Sequence, residues 1–241
     1  MSGVVRAFWG PREESAEALA DRWKRTLDRL SSLLPALAPG PGEAWTWQQI
    51  HESGPATALC ADEESILAAL RSLRTEDGWS DHTGYGLSLA IGNDSGWRAD
   101  VRGAAGGTPE FLLQNLIMEI EAPAGATVPE GDLLTLVAET WQPDFGEVTD
   151  DDILDALEDE ADFGIGEPSV GRFGYLSPAR AALVPAGLPD VTRTELPSGG
   201  LLLAVAPPTA ETDTVVRVNV TLREARALEP LPKPLNRSVW G

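Results

Sequence analysis

Glu139-Thr140-Trp141-Gln142-Pro143-Asp144-Phe145-Gly146 and Val170-Gly171-Arg172-Phe173-Gly174-Tyr175-Leu176-Ser177 enclose the stretch around which the chain is organised. The first closes a helix, because Pro143 disfavours helical geometry for Gln142. The second re-enters the fold as a strand over 172–176. Ser177-Pro178 then gives an N-cap followed by proline at the first helical position, the start of a short helix to Val184. Between the two motifs the chain is intensely acidic. Thr149 or Asp150 caps a short helix there, with Ile153, Leu154 and Leu157 inward and Asp151, Asp152, Asp155, Glu158 and Asp159 outward. From Arg102 to Arg172 no lysine or arginine intervenes, yet 17 Asp and Glu do, so this span holds most of the formal charge of -20. Charge this lopsided bears on partners and solubility more than on fold. It predicts a negative surface offered to a basic partner, with the rest of the chain as scaffold.

Upstream, 129–132 opens the helix that Pro143 closes, placing Leu133, Leu136, Val137 and Thr140 on one side. Before it the period is two. Tyr85, Leu87, Leu89 and Ile91 alternate with Gly86, Ser88, Ala90 and Gly92. The turn residues 93–96 follow, then Trp97, Ala99 and Val101, which together make a hairpin. A third strand over 115–121 turns Leu116, Met118 and Ile120 inward. Small residues opposite large ones predict close approach by another element, such as the first helix. That helix reads from Glu13 to Leu34, with Ala16, Leu19, Ala20, Trp23, Leu27, Leu30 and Leu34 spaced three or four apart, and with Glu13 and Glu14 in its first turn. Val4–Trp9 before it is a strand stopped by Gly10-Pro11. Pro35 ends the helix, and 39–42 is a stiff proline-glycine loop. Trp45-Thr46-Trp47-Gln48 reads as a short strand with two half-buried aromatics on one face. Asp62 caps a second helix running to Arg74, and a polar loop around Asp77-Gly78-Trp79 follows it.

Downstream, 163–168 is a loop, and 191–196 with 201–206 forms a second hairpin about Pro197-Ser198-Gly199-Gly200. From Thr214 two patterns compete: 216–222 alternates like a strand, whereas 222–228 prefers helix. The tail from Glu229 carries Pro230, Pro232 and Pro234 and reads as extended and loosely held. With no internal repeat or linker, the expectation is one α+β domain over 1–228. It is mostly antiparallel sheet with amphipathic helices packed on it, followed by a proline-rich tail at 229–241.

A chain of 241 residues, 42% hydrophobic and with eight Trp, has the means to bury a core. The single cysteine, Cys60, excludes an internal disulfide and suits a reducing compartment. The N-terminus lacks a basic segment followed by an apolar run, and no apolar stretch reaches the roughly 18–20 residues of a membrane span. A cytoplasmic protein is expected. Nucleic acid and anionic lipid would repel so acidic a chain.

The sequence offers little catalytic chemistry. His51 and His82 read as surface or loop residues and do not combine with Cys60 into a zinc-ligand spacing. Gly84-Tyr85-Gly86 and Gly164-Ile165-Gly166 both lack the third glycine of a dinucleotide fingerprint. The run from Asp150 to Asp162 fails as a calcium loop, because Leu154, Ala156 and Leu157 stand where oxygen ligands and a central glycine are needed. Paired carboxylates remain possible in a chain with 38 of them, but abundance makes each pair uninformative. The reading therefore assigns no catalytic, cofactor or metal residues. It assigns Asp150, Asp151, Asp152, Asp155, Glu158, Asp159, Glu160 and Asp162 to partner binding. A hydrolase using two carboxylates and an acidic adaptor stand as alternatives.

On its motifs the chain resembles the immunity protein 52 family, bacterial proteins that neutralise cognate toxins of polymorphic toxin systems. The resemblance rests on the helix running into Trp141-x-Pro143-Asp144-aromatic-Gly146, and on Val170-Gly171 with Tyr175-Leu176-Ser177. The Gly199-Gly200 hairpin, Trp45-x-Trp47 and the Leu87/Leu89 strand lie in compatible order, so that the likeness spans roughly 40–206. Phe145 stands where the family pattern has tryptophan, and Arg172 where it has an aromatic. The resemblance implies an α+β immunity protein without catalysis, whose cognate toxin is often a restriction-endonuclease-like nuclease.

Overall fold

Alternating apolar residues along most of the predicted strands meet in one antiparallel sheet. It is seen in a computed structural model that describes residues 2–38, 45–75, 79–164, 166–205 and 212–235. Its ten strands among the described residues are β1 Ser2–Trp9, β2 Thr46–Gln49, β3 Thr57–Cys60, β4 Tyr85–Gly92, β5 Arg98–Ala105, β6 Gln114–Glu121, β7 Phe145–Thr149, β8 Phe173–Leu176, β9 Thr192–Glu195 and β10 Leu201–Ala204. They lie in the order β3-β2-β4-β5-β6-β1-β7-β8-β10-β9, every pairing antiparallel. The helices are α1 Ala16–Leu33, α2 Glu63–Leu73, α3 Glu130–Trp141, α4 Asp151–Ala161, the single-turn α5 Pro178–Ala181, and α6 Thr212–Glu224. The expected α+β architecture is the observed one.

The sheet has a core on each face. On the first, α1, α2 and α3 bury Leu19, Trp23, Leu70, Leu133 and Trp141 against Ala7, Leu87, Val101 and Met118. Each fully buried leucine there contributes about 1.5–3 kcal/mol. Gly103 and Gly106 let α1 come close: a Cβ at Gly103 would lie 3.3 Å from the Trp23 ring, and one at Gly106 2.7 Å from Leu19. On the second face α4 and α6 bury Ile153, Leu157, Val215, Val218 and Leu222 against Phe145, Leu176 and Leu203. Strand β7 joins the two cores, with Val148 in the first and Phe145 in the second.

Several expectations are corrected. Helix α1 begins after Ser15, whose side chain accepts the Ala18 N–H, so Glu13 and Glu14 precede it. Strand β3 was not foreseen, and neither was β7, which pairs with both β1 and β8. The conflict after Thr214 resolves as helix: Val215, Val218, Asn219 and Leu222 are its buried positions, a helical spacing that alternation had masked. Asn219 satisfies itself by bridging both backbone groups of Val170. The start of the tail is held down rather than loose, since Leu231 and Leu235 are buried and the Leu235 N–H donates to the Glu110 carbonyl at 2.6 Å. The 39–42 loop, Asp77, Gly78, Ala206 and the tail beyond Leu235 lie outside the described residues.

Candidate functional site

Two surfaces arise where the quoted motifs meet. The first is a cleft of about 700 Å³ at the ends of β1, β7 and β8. Helix α3 stops at Gln142, which adopts φ 48°, and Pro143 then aims the chain into β7. The left-handed turn places Asp144 under Gly10, whose N–H its carboxylate accepts at 2.9 Å. Tyr175 and Ser177, from the neighbouring strand, line the opposite wall. Burial pushes the Tyr175 hydroxyl pKa up, against a hydrogen bond with Ser198 that lowers it. Gly200 is required beneath that ring, because a Cβ there would sit 2.5 Å from the Tyr175 hydroxyl.

Aromatic packing fixes the cleft from below. Trp141 is 1% exposed, stacks on Trp9 at 5.6 Å and meets Trp23 edge-on at 5.5 Å. Its indole N–H donates to Thr26 Oγ1 at 2.9 Å. Arg12 donates to the Trp141 carbonyl at 2.8 Å, and Arg22 donates to the Thr140 carbonyl, so two cations complete the negative end of α3. Burial lowers the Arg12 pKa, with Glu14 opposing. Behind Phe145, Arg180 is wholly buried. It donates to the Ala227 and Glu229 carbonyls at 2.8 and 3.0 Å and lies over the Phe145 ring, and burial takes its pKa down to about 10. Aromatic and proline walls around two carboxylates, Asp144 engaged by a backbone N–H and the exposed Glu13, suit holding a side chain or small polar group. The motif residues thus shape this cleft mainly as structure.

The second surface is the outward side of α4. Asp150 caps the helix, accepting the Ile153 N–H at 3.0 Å, and Ile153 and Leu157 anchor it to the sheet. Asp151, Asp152, Asp155, Glu158, Asp159, Glu160 and Asp162 are all exposed. Among the described residues none of these seven has an ion-pair partner. Asp150 is different. It is half-buried and ion-paired to Arg172, which also holds Glu130 at 3.0 Å. Burial opposes the Arg172 charge, but its bonds to Glu130 and Asp150 outweigh that and raise its pKa. Arg172, at the position where the resemblance leads one to expect an aromatic, thereby ties α3 to the start of α4. Asp150 belongs to the fold, and the seven other sequence candidates are exposed along α4 and at its C-terminal cap.

Elsewhere the fold brings arginines to the base-free span. Glu119 pairs with Arg102, Glu139 with Arg29, Glu147 with Arg6 and Glu167 with Arg223. Glu147 is the buried case: its second oxygen accepts the Ser169 hydroxyl at 2.8 Å. Sequence reasoning missed the cleft, because Gly10, Arg12, Asp144, Tyr175 and Ser198 come from separate segments joined only by the pairing of β1, β7, β8 and β10. Both histidines lie in loops, His51 half-buried and bonded to Thr57 at 2.8 Å, His82 exposed. Among the described residues no helix is long and apolar enough to cross a membrane. No protein-family model matches the chain, and a search of curated proteins finds no match.

Proposed function

We propose that this chain is a cytoplasmic immunity protein, of the kind the immunity protein 52 resemblance implies, that neutralises a basic toxin of nuclease type. The observation that carries this reading is the set of seven exposed carboxylates, six on α4 and Asp162 at its C-terminal cap, none of them ion-paired among the described residues. A nuclease holds phosphates with lysine and arginine, so its active cleft is positive. An acidic helix rigidly capped and anchored to a sheet can enter or cover such a cleft, and long-range attraction speeds the encounter. Each rim charge adds little to final affinity, so the effect belongs to the face as a whole. The single free cysteine suits a reducing cytoplasm.

The test reverses charge at Asp151, Asp152 and Asp155 together and spares Asp150, which the fold needs. A toxin gene adjoining this one is the first thing to look for, and binding to the toxic domain it encodes is then followed kinetically at two salt concentrations. The triple lysine variant should stay folded while giving up about 1–2 kcal/mol of favourable dipole contacts at Asp151 and Asp152, lose about ten-fold or more in association rate at low salt, and show a weaker salt dependence. An unchanged association rate at low salt would place the interface elsewhere.

A further inference from the structure

Phe111 and Leu112, between β5 and β6, are 61% and 74% exposed, the two most exposed large apolar side chains among the described residues. A single exposed leucine is ordinary, but an adjacent pair at the mouth of an apolar groove marks a contact surface. The groove behind them holds about 540 Å³, floored by Phe8 and Phe145, whose rings stack at 5.3 Å. One wall is the terminal segment carrying Leu231 and Leu235, pinned through Glu110. The other is the loop that leaves α4, where Arg223 donates to the Ala161 carbonyl at 2.9 Å and to Glu167 at 2.9 Å. Arg223 also lies over the buried Phe163 ring, 3.4 Å from its centroid. Both walls are tied down, so a partner would meet a preformed groove and lose little ordering entropy.

We infer that this groove is the apolar anchor of the surface whose charged part is α4. Its occupant is a large apolar side chain that a cationic protein partner presents among its lysines and arginines. Continuity and charge complementarity support that occupant. Gly164 on the groove wall is two residues beyond Asp162, which puts at most about 7 Å between their Cα atoms. Lys233 and Glu167 are the charged residues among the described lining and offset one another, so the negative charge a cationic partner meets comes from Asp162 and the α4 carboxylates beyond it. An apolar centre beside a charged rim divides the work of an interface: the rim governs encounter, and the anchor governs dissociation.

The inference rests on the toxin-binding reading, and its test separates the two. Phe111→Ser/Leu112→Ser and Leu112→Arg are compared with wild type and the α4 lysine variant, using as probe the same toxic domain as in the charge-reversal test. Both groove variants should keep wild-type thermal stability and dissociate at least about ten-fold faster; Phe111→Ser/Leu112→Ser should keep the wild-type association rate, while the added charge of Leu112→Arg should slow it slightly. Wild-type dissociation from both, with the α4 variant still slow to associate, would overturn the anchor and leave the toxin reading intact. No binding by wild type would remove the toxin reading and the anchor with it. Concentration-dependent dimers in sedimentation, abolished by Leu112→Arg, would assign the groove to a second copy and overturn the inference.

Discussion

Truncating Trp141 to alanine tests whether the tryptophan motif serves the fold or a partner. The side chain is 1% exposed, so its removal opens a large cavity between α1, α3 and the sheet. Trp→Ala changes in cores cost about 3–5 kcal/mol. Two ring contacts, to Trp9 and Trp23, each add on the order of 0.5–1.5 kcal/mol beyond area, which places this site at the upper end. The lost indole hydrogen bond adds little more, because the Thr26 hydroxyl still donates to the Arg22 carbonyl at 2.8 Å. A loss of about 5 kcal/mol follows, comparable with the whole stability of many domains. Urea unfolding followed by far-ultraviolet circular dichroism gives the midpoint and slope, and Trp141→Phe, which keeps an aromatic ring, should lose about 1–2 kcal/mol. A Trp141→Ala protein with a wild-type midpoint but no partner binding would refute the argument and make Trp141 an interface residue.

Glu147→Ala should cost about 3 kcal/mol, near the low end for a broken buried pair, because Arg6 is a quarter exposed and can turn to water while Ser169 loses its acceptor. Denaturant unfolding checks this, with Glu147→Gln expected to recover part of the loss. Asp62→Ala should cost about 1 kcal/mol at neutral pH, the ordinary worth of an N-cap. The Ser65 backbone N–H lowers the Asp62 pKa, so the cap's contribution is full above the unfolded value of about 3.9 and is lost as pH falls through the lower folded value. The gap between Asp62→Ala and wild type in thermal melts should therefore close below about pH 4.

Much of the fold was legible because its signals were local. Asp62 is the cap it looked like, the 93–96 turn joins β4 to β5, and Leu116, Met118 and Ile120 all point inward. The failures share a cause. Strand β7 spans only 145–149 and is buried on both faces, so its residues show no alternation to read. Val216, Val218 and Val220 alternate by β-branched identity, yet Val218 is buried and Val220 exposed, because packing against α4 selects a helical stripe. The prolines after Glu229 suggested looseness, but Leu231 between them and Leu235 after them are buried.

The site was legible to a different degree. Composition marks the acidic span, but a count along the chain cannot separate a neutralised carboxylate from a free one. Partners arrive from far away in sequence: Arg6 is 141 residues from Glu147, and Arg172 reaches back 42 residues to Glu130. Six acids of the base-free span, Glu119, Glu130, Glu139, Glu147, Asp150 and Glu167, acquire arginines through strand pairing or helix packing. What the fold leaves unneutralised on α4 is narrower than the sequence suggested, and it excludes the cap. That subtraction turns an overall charge into a located one. If net charge alone drove association, moving three of the α4 carboxylates to the exposed side of α1 would leave the association rate unchanged. If the helix face drives it, the same net charge, relocated, should bind as slowly as a variant in which those three α4 carboxylates are simply changed to Asn.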